Sequence, residues 1–288
     1  MSPDIASRHF DALGSTCELL SLSAGQAALE RCEQRVREAE ARFTRFLPSS
    51  ELAQLNAGDG RYVPVSPAMF AMLEAALWAF EESGGLVNAA VLPALQAAGY
   101  DRPFRQGLRE PAAYTASSLP RLPDVLLLDV ATRSAGLAPG TALDLGGIAK
   151  GALADLLIAD LGDDAVCNLG GDLRARGLGP DGDGWHIELC DRSAVALTDG
   201  AVCTSGITRR RWGRSAHHLI DPRTGLPAKT DLAEVSVLTD SALRGEVYAK
   251  CGMLLGEAAG RTFLESRGVA YAMVPVVGAA SSMTLAAA

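Results

Sequence analysis

The sequence predicts an α+β fold with helices and strands interleaved along one chain. Three observations carry this: apolar residues recur at steps of three and four in four separate stretches, short apolar runs lie between those stretches, and glycines punctuate the boundaries. At 288 residues and 48% hydrophobic content the chain is long enough for a large core, and it reads as a single domain over 1–288 with a fraying Ala/Ser-rich tail at 279–288.

From Gln26 to Phe46 the apolar positions Leu29, Cys32, Val36, Ala39, Phe43 and Phe46 are separated by charged residues, which predicts an amphipathic helix with one buried face. A second helix starts where Ser66 caps and Pro67 takes the first turn, presents Phe70, Leu73, Leu77 and Phe80, and stops at Gly84-Gly85. A third follows Gly146-Gly147, carries Ile148, Leu153, Leu156, Leu157 and Leu161, and ends at Gly162. A fourth follows Ser241, with Leu243, Val247, Cys251 and Leu254 inward, and ends at Gly256. Strands are expected at Cys17–Leu22, Val125–Asp129, Ala165–Leu169, His186–Cys190, Val235–Leu238 and Val269–Val274. Between Gly99 and Pro123, the residues Pro103, Pro111, Pro120 and Pro123 break any periodicity, so this stretch reads as a surface excursion.

Acidic residues outnumber basic ones, 34 to 26, for a formal charge of -8, so nucleic acid is not an expected partner. No apolar run approaches the ~20 residues of a membrane span. The N-terminus lacks a basic region followed by an apolar one, so a cytoplasmic location is expected. The six cysteines form no CxxC pair and read as buried thiols, and the four histidines have no zinc-site spacing.

Four glycine-bearing polar segments lie at strand and helix junctions. In Asp144-Leu145-Gly146-Gly147-Ile148-Ala149-Lys150-Gly151, paired glycines open a helix beside a lysine, which suits a phosphate or else a tight turn with a solvated lysine. Asn168-Leu169-Gly170-Gly171-Asp172 reads as a site turn or an ordinary hairpin, and Thr204-Ser205-Gly206 as a polar lining or a turn. In His217-His218-Leu219-Ile220-Asp221-Pro222-Arg223-Thr224-Gly225, a histidine, an acid, an arginine and a hydroxyl crowd together. That suits acid–base work on a phosphate ester, or a proline turn closed by a salt bridge. A serine hydrolase is disfavoured because no GxSxG elbow occurs.

In this order the segments resemble the ApbE-like FAD:protein FMN transferase family. The resemblance extends to Phe10-Asp11-Ala12-Leu13-Gly14-Ser15, to Phe43–Asn56 with Ser50-Glu51-Leu52, to Gly84-Gly85, and to Gly99-Tyr100-Asp101. It implies an α+β domain of mixed sheets flanked by helices, with an FAD cleft between two lobes. It also implies a divalent metal, usually magnesium, and transfer of FMN from FAD to a Ser or Thr of an acceptor protein with release of AMP. With no leader, that acceptor would be a cytoplasmic flavoprotein.

By motif, His218 and Asp221 would handle the proton, and Arg223 and Thr224 would steady the loop or phosphate. FAD would be bound by Ser15, Ser50, Glu51, Asp144, Gly146, Gly147, Lys150, Gly170, Gly171, Asp172, Thr204, Ser205 and Gly206.

Two positions depart from the family pattern. The family places a metal-binding Asp and Thr four residues apart, together with a carbonyl here belonging to Ala149. This chain has Glu246 for the Asp and Lys250 for the Thr. A carboxylate suits a hard cation, whereas an ammonium has no lone pair to give one. Their i,i+4 spacing, acid first, lets the two pair with each other instead. Asn88 likewise stands where the family has an acid. A member that holds FAD without transferring it, or a pyrophosphatase using water as acceptor, is the alternative reading.

Overall fold

The structure, a computed structural model, describes residues 5–108 and 116–276. The proposed tail lies outside them, as does Pro111. The chain groups into two compact units, one built from residues 1–38, 150–208 and 230–288, the other from 39–149 and 209–229.

The first unit is organised on a seven-stranded sheet whose strands follow one another in chain order: Ala6–Ala12, Ser15–Ser21, Ala165–Leu169, Asp172–Arg176, Asp199–Gly206, Leu232–Thr239 and Tyr271–Pro275. Every neighbouring pair is antiparallel. Two of these strands, Ala6–Ala12 and Asp172–Arg176, carry no continuous apolar run and are not among the expected strands; they bury single residues instead, Phe10 and Ala12 in one, Leu173 and Ala175 in the other. The predicted Ala165–Leu169 strand is present with those bounds.

Helix α1 (Gln26–Phe43) begins in this unit with Leu29, Cys32 and Val36 buried, and it ends before Phe46. The third expected helix begins at Ala149 and runs to Leu157, followed by a 3-10 turn to Leu161. Leu156 was expected inward but is 58% exposed. At about 100° per residue the buried Leu153, Ala154, Leu157, Ile158 and Leu161 share one arc, and Leu156 falls outside it.

The last helix, Ala242–Ser266, lies on the strands Asp199–Gly206 and Leu232–Thr239. Its first-turn Leu243 is half-buried rather than inward, and the helix continues past Gly256, where the backbone breaks at φ +77°. Asp231 makes the break tolerable by accepting from the Glu257 N–H at 2.9 Å, which recaps the second half.

The start of this helix is held from outside its own sequence. Asp155 accepts from Ser241 Oγ and Ala242 N, both at 2.7 Å, and from Leu243 N at 2.9 Å. Replacing Asp155 with alanine strips two backbone donors and a cap hydroxyl of their partner. It is expected to lower stability by about 1–2 kcal/mol. The check is the urea midpoint, with the slope unchanged; an unshifted midpoint would show the carboxylate to be dispensable.

The second unit holds α2 (Glu51–Asn56), α3 (Pro67–Glu82), α4 (Leu92–Ala97) and α5 (Leu122–Val125), with a small sheet ordered Val63–Pro64, Ser134–Leu137, Leu126–Asp129. The start and stop of α3 follow the sequence: Ser66 accepts from the Met69 N–H at 3.2 Å, Pro67 opens the helix, and Ser83 closes it. One apolar cluster, Leu95, Ala98, Trp212, Ala216 and Ile220, gathers the polar segment around His217 onto α4.

Candidate functional site

In the first unit the start of the helix Ala149–Leu157 comes very close to the start of Ala242–Ser266. A Cβ added at Gly151 would stand 2.4 Å from the Ala242 carbonyl oxygen, so only glycine permits the approach. This brings Glu246, 1% exposed, onto the first turn of the other helix. Its Oε2 accepts from the Gly151 N–H at 2.9 Å, and its Oε1 accepts from Lys250 Nζ at 3.0 Å and Lys150 Nζ at 3.2 Å. Lys150 also pairs with the buried Asp172 of the Asp172–Arg176 strand. Burial alone would push the Glu246 carboxyl up, but the two ammoniums and the N–H outweigh it and hold the group at about 2.

Lys150, Asp172, Glu246 and Lys250 are therefore one buried network of two cations and two anions. Cys203 faces Asp172 across the strand pair, donates to the Ala242 carbonyl at 3.1 Å, and has its thiol pushed up by burial and then by Glu246. The expectation that this helix N-terminus offers its N–H groups to a phosphate is met differently at Gly151, whose donor is already taken by Glu246.

Gly170 turns the Asn168–Asp172 segment at φ +71°, where an added Cβ would stand 2.4 Å from that of Ser15. Asn168 Oδ1 accepts from the Gly171 N–H at 3.0 Å and closes the turn. Thr204 and Ser205, read together in the sequence, lie on opposite faces of their strand. Thr204 Oγ1 shares a 2.7 Å hydrogen bond with Ser236 Oγ, and Ser205 is buried on the Cys203 side.

In the second unit Asp144 accepts from Arg45 Nε at 2.7 Å and from the Gly146 N–H at 2.9 Å, which shapes the turn through Gly147 to Ala149. Arg45 is buried, and its guanidinium carbon lies 4.2 Å from the Phe46 ring centre and 4.6 Å from that of Tyr100. Tyr100 is packed on Trp212, and burial, more than its charged neighbours, raises its phenol pKa. Tyr100 belongs to the Gly99-Tyr100-Asp101 string that carries the resemblance, whereas Arg45 and Trp212 are not named from the sequence, although Arg45 lies within the stretch Phe43–Asn56.

Ser50 and Glu51 are engaged in the fold. Ser50 Oγ caps α2 at Ala53 N (3.0 Å), and Glu51 accepts from Arg42 Nε at 3.0 Å and Ser66 N at 2.9 Å. Asn88 is likewise a cap, accepting from Ala90 N and donating to the Pro120 carbonyl, both at 2.9 Å.

Asp221 is buried and clamped by Arg223. Oδ1 accepts from the Arg223 N–H at 2.9 Å and from Nε at 2.8 Å, and Oδ2 accepts from Nη2 at 2.8 Å. Asp221 thus fixes the turn that follows the strand Ile220–Asp221, and Thr224 stays within that turn, while His218 precedes the strand. His217 is buried and donates Nε2–H to the Ala228 carbonyl at 3.0 Å, while its Nδ1 has no hydrogen-bond partner among the described residues. Burial lowers its pKa below the usual 6.5. A depressed imidazole contributes stability that is complete above pH 6.5 and is lost as pH falls through the folded value. Below pH 6.5 the wild type is therefore expected to lose stability faster than His217→Gln. Parallel melting-temperature curves for the two proteins between pH 7.5 and 5 would refute this.

The cluster around Glu246 does not suit a divalent cation. Both Glu246 oxygens already accept hydrogen bonds, Lys250 has no lone pair, and no group of three or more His, Cys, Asp or Glu able to hold a metal occurs among the described residues.

Residues 13–273 match the ApbE family. The chain belongs to the ApbE family. An ApbE-family relative from Treponema pallidum (strain Nichols), named FAD:protein FMN transferase, is 34% identical over 80% of this chain and 72% of its own length. A second of the same name from Klebsiella pneumoniae (strain 342) is 29% identical over 88% and 84%. Among solved ApbE structures, the protein from Thermotoga maritima superposes with a TM-score of 0.82 at 22% identity, covering 94% of both chains. The apo form of the Pseudomonas stutzeri flavinyl transferase ApbE also gives 0.82, at 24% identity, covering 96% of this chain and 93% of its own. These likenesses show that the α+β architecture is the ApbE fold.

Proposed function

We propose that this ApbE-family chain is an FAD:protein FMN transferase that moves FMN from FAD to a Ser or Thr hydroxyl of a protein acceptor. The carrying observation is the family match across residues 13–273, which includes every glycine-bearing segment described above. In the reaction the acceptor oxygen bonds to the phosphorus of the FMN half, the bond from that phosphorus to the bridging oxygen breaks, and AMP departs with the bridging oxygen. The acceptor proton must leave as attack proceeds.

His218 is the group we assign to that proton. Asp221, three residues on, is locked by Arg223 and holds the turn beyond the strand Ile220–Asp221. Lys150 and Lys250 direct ammonium donors toward the pyrophosphate, and the Thr204-Ser205-Gly206 segment borders the flavin portion with one of its two faces, so Thr204 and Ser205 do not both reach it. The Asn168–Asp172 turn and Ser15 shape the wall next to them. Ser50 and Glu51 act by holding α2 in place. No described helix is long and apolar enough to cross a membrane.

The test is incubation of the purified chain with FAD and a cell-protein extract, followed by chromatography of nucleotides and in-gel flavin fluorescence. AMP formed in equal amount with protein-bound FMN is the expected result. AMP with free FMN would mean that water is the acceptor, as in a pyrophosphatase, and intact FAD would overturn both readings.

A further inference from the structure

We propose that the Lys250 ammonium is a built-in replacement for a divalent cation: it serves as the resident partner of the FAD pyrophosphate, and the chain holds FAD without a divalent metal. The FAD part of this rests on the transferase reading; the exclusion of metal does not. Lys250 Nζ donates to Glu246 Oε1 at 3.0 Å, its one hydrogen-bond acceptor among the described residues, and an ammonium has three donors. Its side chain is 15% exposed, and two of its three N–H donors have no acceptor among the described residues.

Glu246, in turn, spends both oxygens on the protein: Oε1 accepts from Lys150 and Lys250 and Oε2 from the Gly151 N–H. Lys150 is fastened to Asp172 on its other side. The network is neutral overall, two charges of each sign, so its hold on a pyrophosphate comes from directed N–H donors and not from net charge. An ammonium donates hydrogen bonds to phosphate oxygens at fixed places without needing a ligand shell of its own. That is the chemistry left once the ligand at the helical position four residues after the acid becomes a lysine.

The experiment uses the full chain, Mn2+ as a spectroscopic probe, and FAD. Electron paramagnetic resonance of Mn2+ titrated into the protein alone and with saturating FAD is expected to show no stoichiometric bound ion, and the Kd for FAD is expected to be unchanged by a chelator. The double variant Glu246→Asp/Lys250→Thr is expected to bind one Mn2+ per chain. Lys250→Met, which keeps the stem and loses the donors, is expected to weaken FAD binding at least tenfold.

One tightly bound Mn2+ in the wild type that Glu246→Gln removes would overturn the proposal. So would a well-folded double variant that gains no ion, since the lysine would then not be what excludes it. If FAD binds neither wild type nor variants, the transferase reading fails, while the Mn2+ titration still decides whether the cation place is taken.

Discussion

His218→Ala is expected to lower the rate of AMP release from FAD by about 10²–10⁴-fold, the usual range for removing a proton-transfer group, with Kd for FAD within a few-fold of wild type. A serine or threonine hydroxyl is a weak nucleophile until its proton has somewhere to go, and an imidazole near neutral pH is suited to take it. The neighbouring histidine is not equivalent. His217 is buried and commits Nε2–H to the Ala228 carbonyl, so His217→Gln should leave turnover largely intact while changing stability. Arg223→Ala tests positioning: it frees the Asp221 carboxylate from a bidentate partner and should lower kcat less than His218→Ala does. Nucleotide chromatography in single-turnover mode separates these cases. A His218→Ala protein that releases AMP at the wild-type rate would remove His218 from the mechanism.

Glu246→Ala is expected to cost about 3–5 kcal/mol of stability, because it leaves two largely buried ammoniums with one carboxylate between them. For a chain of this size that is a fall in melting temperature of roughly 10 °C. The residue also accepts the Gly151 N–H, so its removal opens the junction of two helices that only a glycine lets approach. Pairing the loss with loss of one cation restores the balance: Glu246→Gln/Lys250→Met is expected to recover more than half of the deficit. Differential scanning calorimetry of both variants is the measurement. A single variant within 1 °C of wild type would mean that the network contributes nothing net to folding.

These two residues also show how far the sequence carries. The pairing of Glu246 with Lys250 was legible because i,i+4 spacing on a helix is a local rule, and the structure has that bond. The other half of the network was not legible. Lys150 meets Asp172 and Glu246 only because the sheet and two helices converge, and nothing in the local pattern of either segment encodes a partner 96 residues away. The same is true of Asp155 at the head of the last helix, and of Arg45 between two aromatic rings. Ser50 and Glu51 are a different case. They belong to the stretch carrying the resemblance, yet their oxygens serve α2 and its neighbours, since Ser and Glu at a helix start are good caps wherever they occur.

By itself the sequence determined the α+β class, the presence of the four principal helices, the N-cap of α3, the Ala165–Leu169 strand and the motif set that places the chain in its family. Each of these is written in near-neighbour terms: periodicity, capping side chains, glycine stops and short strings of residues. Only the tertiary structure decided which polar side chains of those motifs face one another, which are consumed in capping, and that strands without an apolar run, such as Ala6–Ala12, take their place in the sheet. Strand pairing and buried charge networks are made by groups far apart in the chain, and their energies depend on burial and on distance. Both are fixed only when the chain has folded.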